Sequence, residues 1–228
     1  LKTLLEATQF PWTLCNYLKP GKSMDVDSIA KSEGLLAGTR SYVVRERHGF
    51  RFGFFGIGGT DWPSLCQHLP LCQVKSPITA ARKVARQLRR IENCDVVIAI
   101  THMRLAEDLT VSEATMAYDD CRVDLILGGH DHETVCRLAG NTCSDPTNIW
   151  QDTANEDIVK SGRVPAVTGS VRIIKSGSDF QSFSHITLCV KRQPGGKARV
   201  ITTSGKFASL KLRQIATFTN WVVLQCDK

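Results

Sequence analysis

An α/β fold is predicted by three features of this sequence: two short apolar runs that each stop at a histidine, helical patterns before and between them, and a strand-turn-strand signature upstream. DVVIAIT (95–101) and VDLILGG (123–129) are continuous apolar runs, the pattern of strands buried on both faces. The first stops at His102 and the second at His130. The order helix, strand, helix, strand predicts neighbouring parallel strands with a right-handed crossover, and in such sheets ligands gather beyond the carboxyl ends of the strands.

The other elements follow in chain order. LKTLLEATQFPW opens the chain as the middle of a helix running towards a strand. SYVVRERHGFRFGFFGIGG (41–59) alternates branched or aromatic residues with polar ones on both sides of His48-Gly49, which predicts two strands joined by a tight turn. Ser76-Pro77 supplies an N-cap with proline at the first helical position, and Ile78, Ala81, Val84, Ala85, Leu88 and Ile91 recur on one helical face. EDLTVSEATMAY (107–118) gives a second helix. The stretch 139–165, rich in Asn, Asp, Ser and Gly, reads as a long loop or insertion. VRIIKSG (171–177) and FSHITLCVKR (183–192) read as two strands of a hairpin or meander, and WVVLQC near the end as an edge strand. The organisation expected is one domain over 1–192 and a weakly patterned tail over 193–228.

Composition narrows the function classes. The 228 residues suffice for a buried core, and a hydrophobic share of 42% gives no sign of disorder. The net charge of +7 suits an anionic ligand, but the basic residues are scattered; only RKVARQLRR (82–90) clusters, with helical spacing and no aromatics. That is the pattern of a solvated helix face, so no nucleic-acid partner is expected. No apolar run reaches the roughly 18 residues of a membrane span, and the first residues lack a signal-peptide layout. The expectation is a soluble chain with no membrane partner, the cytoplasm favoured. The nine cysteines are odd in number and lack C-x-x-C spacing, which argues against cysteine ligation of a metal. CQHLPLC (66–72) matches no common zinc pattern either. Cys94 and Cys121 read as small buried hydrophobes, whereas Cys136 and Cys143 flank a short loop and would bridge in an oxidising compartment.

His102, His130 and His132 are three neutral nitrogen donors that this topology brings to one sheet edge. Imidazole suits zinc, iron, manganese and related ions, and the glycines before His130 let the backbone turn sharply. For the GGHDH unit with a further histidine on the next strand, metal ligation outweighs plain hydrogen bonding to loop backbone. Asp131 fits a carboxylate that fixes a ligand imidazole's tautomer, and equally a solvated loop residue. Arg104 fits a phosphate-facing fork or a surface ion-pair partner. Asn16 reads as a turn residue, Asp61 and Asp179 as turn caps, and His48, His68 and His185 as structural.

DVVIAITHMRLAEDLTVSEATMAYDDCRVDLILGGHDHETV resembles the later part of a calcineurin-like metallophosphoesterase domain of the 5′-nucleotidase group. THM is similar to that family's single-histidine motif and GGHDH to its G-H-x-H motif. FPWTLCNYL, YVVRERHGFRFGFFGIGG and VRIIKSGSDFQSF resemble the flanking segments in the same order, so the resemblance covers roughly residues 1–190. It implies a partial four-layer αββα sandwich with mixed sheets and, in the complete family site, two divalent metal ions of the manganese, zinc, iron, magnesium or calcium class sharing a bridging aspartate and hydroxide. Carried over, His102 and His130 would bind one ion and His132 the other. Two ions about 3.5–4 Å apart clamp a phosphate, activate the water between them and stabilise in-line displacement. The implied activity is metal-dependent phosphoric ester hydrolysis of nucleotides or other phosphate monoesters, as in nucleotide catabolism, releasing phosphate and an alcohol or nucleoside.

The chain departs from the family where the other ligands belong. D-x-H, G-D-x-x and G-N-H-D/E, which supply the bridging aspartate and remaining donors, do not occur. Leu1 falls just after the place of G-N-H-D/E, so a chain without its first third is expected, as is weak or single-ion binding with little phosphatase activity. The family's nucleobase-gripping second domain is expected to be missing from this chain. The rival reading is a non-catalytic binding or interaction module that keeps part of the scaffold.

Overall fold

The structure, a computed structural model, describes residues 2–116, 118–132, 134–138, 149–151, 171–179, 182–192 and 198–209. The chain divides into two compact units, Leu1–Ile126 and Leu127–Lys228.

The first unit begins with α1 (Lys2–Ala7), β1 (Tyr17–Leu18) and α2 (Val26–Lys31). Asp25 caps α2: one carboxylate oxygen accepts the Ser28 N–H at 2.7 Å and the other accepts the Ser23 hydroxyl at 2.6 Å. These bonds, the Ser23 hydroxyl foremost, hold the Asp25 carboxyl down at about 2, against an ordinary 3.8. Because the folded value lies below the unfolded one, the cap's stabilisation is complete above pH 3.8 and is lost as pH falls through 2. An NMR titration of the Asp25 carboxyl is expected to show a midpoint near 2, and Ser23→Ala to move it upward.

Next come β2 (Val43–Arg47) and β3 (Phe50–Gly58), antiparallel from Val43 opposite Phe54 to Arg47 opposite Phe50. His48 (φ 54°) and Gly49 (φ 76°) are both left-handed, as a two-residue type I′ turn requires. After α3 (Trp62–Leu65) and β4 (Gln73–Val74), α4 runs over Pro77–Arg90 and β5 over Val96–His102. β3 and β5 pair in parallel, Phe52 opposite Val96 through Gly58 opposite His102. Ala80, Ala81, Val84, Ala85 and Leu88 of α4 are buried, as are Phe52, Phe55, Val96, Val97, Ile98 and Ala99 of the strands. Three expectations change in detail. Ser76 makes no side-chain cap; its carbonyl accepts the Ala80 N–H at 3.0 Å instead. Ile91 is 60% exposed because the helix ends one residue before it. The basic cluster does more than face solvent: Arg82 donates to Ala114 O at 3.0 Å, and Arg86 and Arg90 pair with Asp120 at 2.8 and 2.7 Å.

α5 (Leu105–Met116) follows, and β6 (Leu125–Gly129) starts in the first unit and ends in the second. At its entrance Asp124 donates its N–H to Val97 O at 2.8 Å and accepts the Val97 N–H on its carboxylate at 2.8 Å. The same carboxylate receives the Arg89 guanidinium, which also donates to Asp95 O at 2.7 Å.

In the second unit, β7 (Thr134–Leu138) lies antiparallel between β8 (Ile149–Gln151) and β9 (Val171–Ser176). β10 (Ser182–Arg192) pairs antiparallel with β11 (Ala198–Ser209), with a register shift at Cys189/Val190. The 171–177 and 183–192 strands therefore do not pair with each other as the expected hairpin or meander. β9 takes β7 as its partner, and β10 turns back on a strand in the segment read as weakly patterned. β8 is likewise a strand inside the expected 139–165 loop. The WVVLQC segment and Cys143 lie outside the described residues. Cys94 and Cys121 are buried as expected, and so is Cys15, whose thiol burial pushes up to about 12. No helix among the described residues is long and apolar enough to cross a membrane.

Candidate functional site: two histidine-bearing strand ends

In the first unit, the carboxyl ends of β3 and β5 form one tightly bonded edge. The His102 carbonyl accepts two donors, the Gly59 N–H at 2.9 Å and the Trp62 indole N–H at 3.1 Å. The Trp62 ring meets the His102 imidazole edge-on, centroids 5.4 Å apart, and also packs against the Tyr17 ring at 5.4 Å. Tyr17 donates its hydroxyl to Gly59 O, and burial pushes this phenol up. Glu107 accepts both the Thr60 N–H (3.2 Å) and the Thr60 hydroxyl (2.7 Å). Asp61, expected to cap a turn with its carboxylate, instead receives Arg104 Nε at 2.8 Å. The ion-pair reading of Arg104 thus has a named partner, and that contact sets the direction of its fork.

Asn16, in the bend just before β1, is fully buried. Its amide accepts the Gly58 N–H at 2.9 Å, donates to Gly58 O at 2.8 Å and reaches Lys75 O at 3.3 Å. Asn16, Tyr17, Trp62 and Glu107 were not legible as site-building residues, because each acts on partners some 40 or more positions away. The one local sign was the aromatic directly after GGTD.

In the second unit, β6 runs out into the GGHDH turn. His130 (φ 85°) and His132 (φ 61°) both adopt left-handed backbone, which costs an L-residue roughly 1–2 kcal/mol each. Such strain persists only where neighbours over-determine it. Beside this turn stands Lys175 of β9, whose ammonium donates to Gly129 O at 2.8 Å and pairs with the Asp131 carboxylate. Lys175, inside a strand-like KSG segment, gave no sign of this role. Asp179 (φ 55°), read as a turn cap, does sit in a turn after Gly177 and accepts the Ser178 hydroxyl at 3.0 Å.

The predicted site residues thus fall in two sets, His102 and Arg104 in the first unit and His130, Asp131 and His132 in the second. Among the described residues no group of three or more His, Cys, Asp or Glu side chains is arranged to hold a metal ion. Asp131, the carboxylate between the two histidines, is matched to an ammonium of the chain itself. Imidazoles and one carboxylate already paired with an ammonium do not fit a centre of two dications, which needs an anionic bridge.

No protein-family model matches the chain. Protein UshA of Yersinia enterocolitica is 27% identical over 111 residues, which cover 45% of this chain and 20% of that protein. Among solved structures, the 5′-nucleotidase precursor of Thermus thermophilus matches 92% of this chain with a TM-score of 0.57 at 16% identity. The NAD nucleotidase of Haemophilus influenzae matches 98% of it with a TM-score of 0.52, also at 16% identity. The chain spans 36% and 43% of those two structures, so it corresponds to part of each. Its α/β fold is therefore one it shares with solved 5′-nucleotidases, the group that its two histidine motifs resemble.

Proposed function

We propose that this chain carries part of a phosphoester hydrolase of the 5′-nucleotidase kind, acting on nucleotides or other phosphate monoesters, with His102, His130 and His132 as its imidazole donors. The observation that supports this reading most is the GGHDH turn: two histidines at a strand's carboxyl end, both in costly left-handed backbone, within a sequence similar to the nucleotidase G-H-x-H motif. The reaction adds water across a P–O bond, releasing inorganic phosphate and an alcohol or nucleoside. The chain's own contribution is to present imidazole lone pairs from a braced turn, with Arg104 offering a guanidinium oriented by Asp61.

A second reading, a binding module without turnover, draws on the neutralised Asp131 and the poor fit to a two-ion centre. Phosphate release from AMP and from p-nitrophenyl phosphate in manganese separates the two. The 228-residue chain is expected to release little phosphate. A chain extended upstream through D-x-H, G-D-x-x and G-N-H-D/E segments is expected to turn over, and His130→Ala within it to lose at least about 100-fold. An extended chain that stays inactive, or one indifferent to His130→Ala, would overturn the hydrolase assignment.

A further inference from the structure

Lys175 is 1% exposed, the most deeply buried cation described in the second unit, and it stands opposite Val135 in the β7–β9 register. A buried ammonium survives only with oxygen partners that replace its water. Two of its oxygen contacts bracket a single residue: Gly129 O lies immediately before His130, and the Asp131 carboxylate immediately after it. One side chain on a neighbouring strand therefore grips the turn on both sides of its first histidine. The pinned Asp131 is also the residue between the two left-handed histidines.

We propose that Lys175 is a positioning residue for the His130–His132 turn, a cation built into the chain that fixes the direction of both imidazoles. This rests on the reading of His130 and His132 as the site's donors. With the ammonium present, Gly129 O and Asp131 are held at a set separation, so the backbone between them stays left-handed and the imidazoles keep one heading. With it removed, Asp131 becomes a carboxylate without its buried counter-charge, and the turn relaxes towards ordinary backbone. Lys175 touches no substrate in this account; it acts through Asp131 and the Gly129 carbonyl.

The test compares Lys175→Met, which keeps the length of the stem, with Lys175→Arg, which keeps the charge, in the 228-residue chain. The readout is the imidazole nitrogen and carbon-bound proton signals of His130 and His132, with His48 in the first unit's hairpin as reference. Lys175→Met is expected to shift and broaden both turn histidines while His48 stays in place, and Lys175→Arg to restore the native positions at least in part. Unmoved His130 and His132 signals in a folded Lys175→Met chain would overturn the proposal. If Lys175→Met does not fold, Asp131→Asn, at a side chain 22% exposed, decides: the same paired shift supports the latch and its absence overturns it. None of these signals depends on turnover. Shifts of this kind in an extended chain that hydrolyses nothing would sink the hydrolase reading and leave the latch standing.

Discussion

Replacing Asp124 by alanine is expected to lower the stability of the chain by about 3–5 kcal/mol, the range for removing one partner of a buried ion pair. Its side chain is 3% exposed and that of Arg89 14%, so solvent cannot take over either role. The loss falls on three groups together. Arg89 keeps its carbonyl acceptors at Arg122 and Asp95 but loses its counter-charge, Val97 loses the acceptor of its N–H, and Arg122 Nε loses a carboxylate 3.2 Å away. Asp124→Asn keeps an acceptor for Val97 and removes only the charge, so it should cost less, about 2 kcal/mol. Arg86→Ala is the contrast, because the Arg86–Asp120 pair is exposed (44% and 28%) and such pairs contribute under about 1 kcal/mol. Urea unfolding of the three variants checks the order. An Asp124→Ala midpoint no lower than that of Arg86→Ala would show that the network carries no such weight.

Gly56→Ala is expected to be as damaging by a purely steric route, at about 3 kcal/mol or more. A Cβ at this position would lie 2.1 Å from Thr13 O and 2.7 Å from Thr13 C, both backbone atoms. Relief requires moving the 13–16 segment away from β3, which would break the Cys15 N–H bond to Gly56 O at 2.9 Å. Gly53 offers the opposite case. Its added Cβ would meet Leu88 methyls at 2.8 and 2.9 Å, which are ends of a flexible side chain. Gly53→Ala should therefore shift the melting temperature less than Gly56→Ala, and the reverse order would contradict the steric account.

What was legible in the sequence was what local chemistry specifies. Pro77 at the first helical position and a 3.6-residue apolar period define α4 without outside help, and the His48-Gly49 pair sets its own hairpin. The apolar runs ending at His102 and His130 likewise placed both histidines at strand ends. The remainder depends on partners far along the chain. Asn16 is a lone polar residue until Gly58, 42 positions away, gives it two backbone groups to bind. Lys175 follows Ile173 and Ile174 and reads as the polar step of an alternating strand, yet it is buried because Asp131, 44 positions earlier, supplies its counter-charge. β11 reads ARVITTSGKFAS, whose small polar residues and central glycine hide a strand that only its pairing with β10 reveals. β9's choice of β7 over β10 is also a matter of sheet neighbours, which strand-like composition does not encode.

The Asn16 amide has a consequence for self-association. β2 covers the flank of β3 only as far as Phe54, and Gly56 and Gly58 would beyond that point present unused ladder groups. Cys15 takes the Gly56 carbonyl with its backbone, and the Asn16 side chain takes both groups of Gly58, imitating one more residue of a strand. A glycine-rich stretch flanked by Phe54, Phe55 and Ile57 is a template on which another chain's strand would dock if left open. The 13–16 segment thus takes up ladder groups on which a further strand would otherwise pair, and the close approach permitted by Gly56 is what lets it fit.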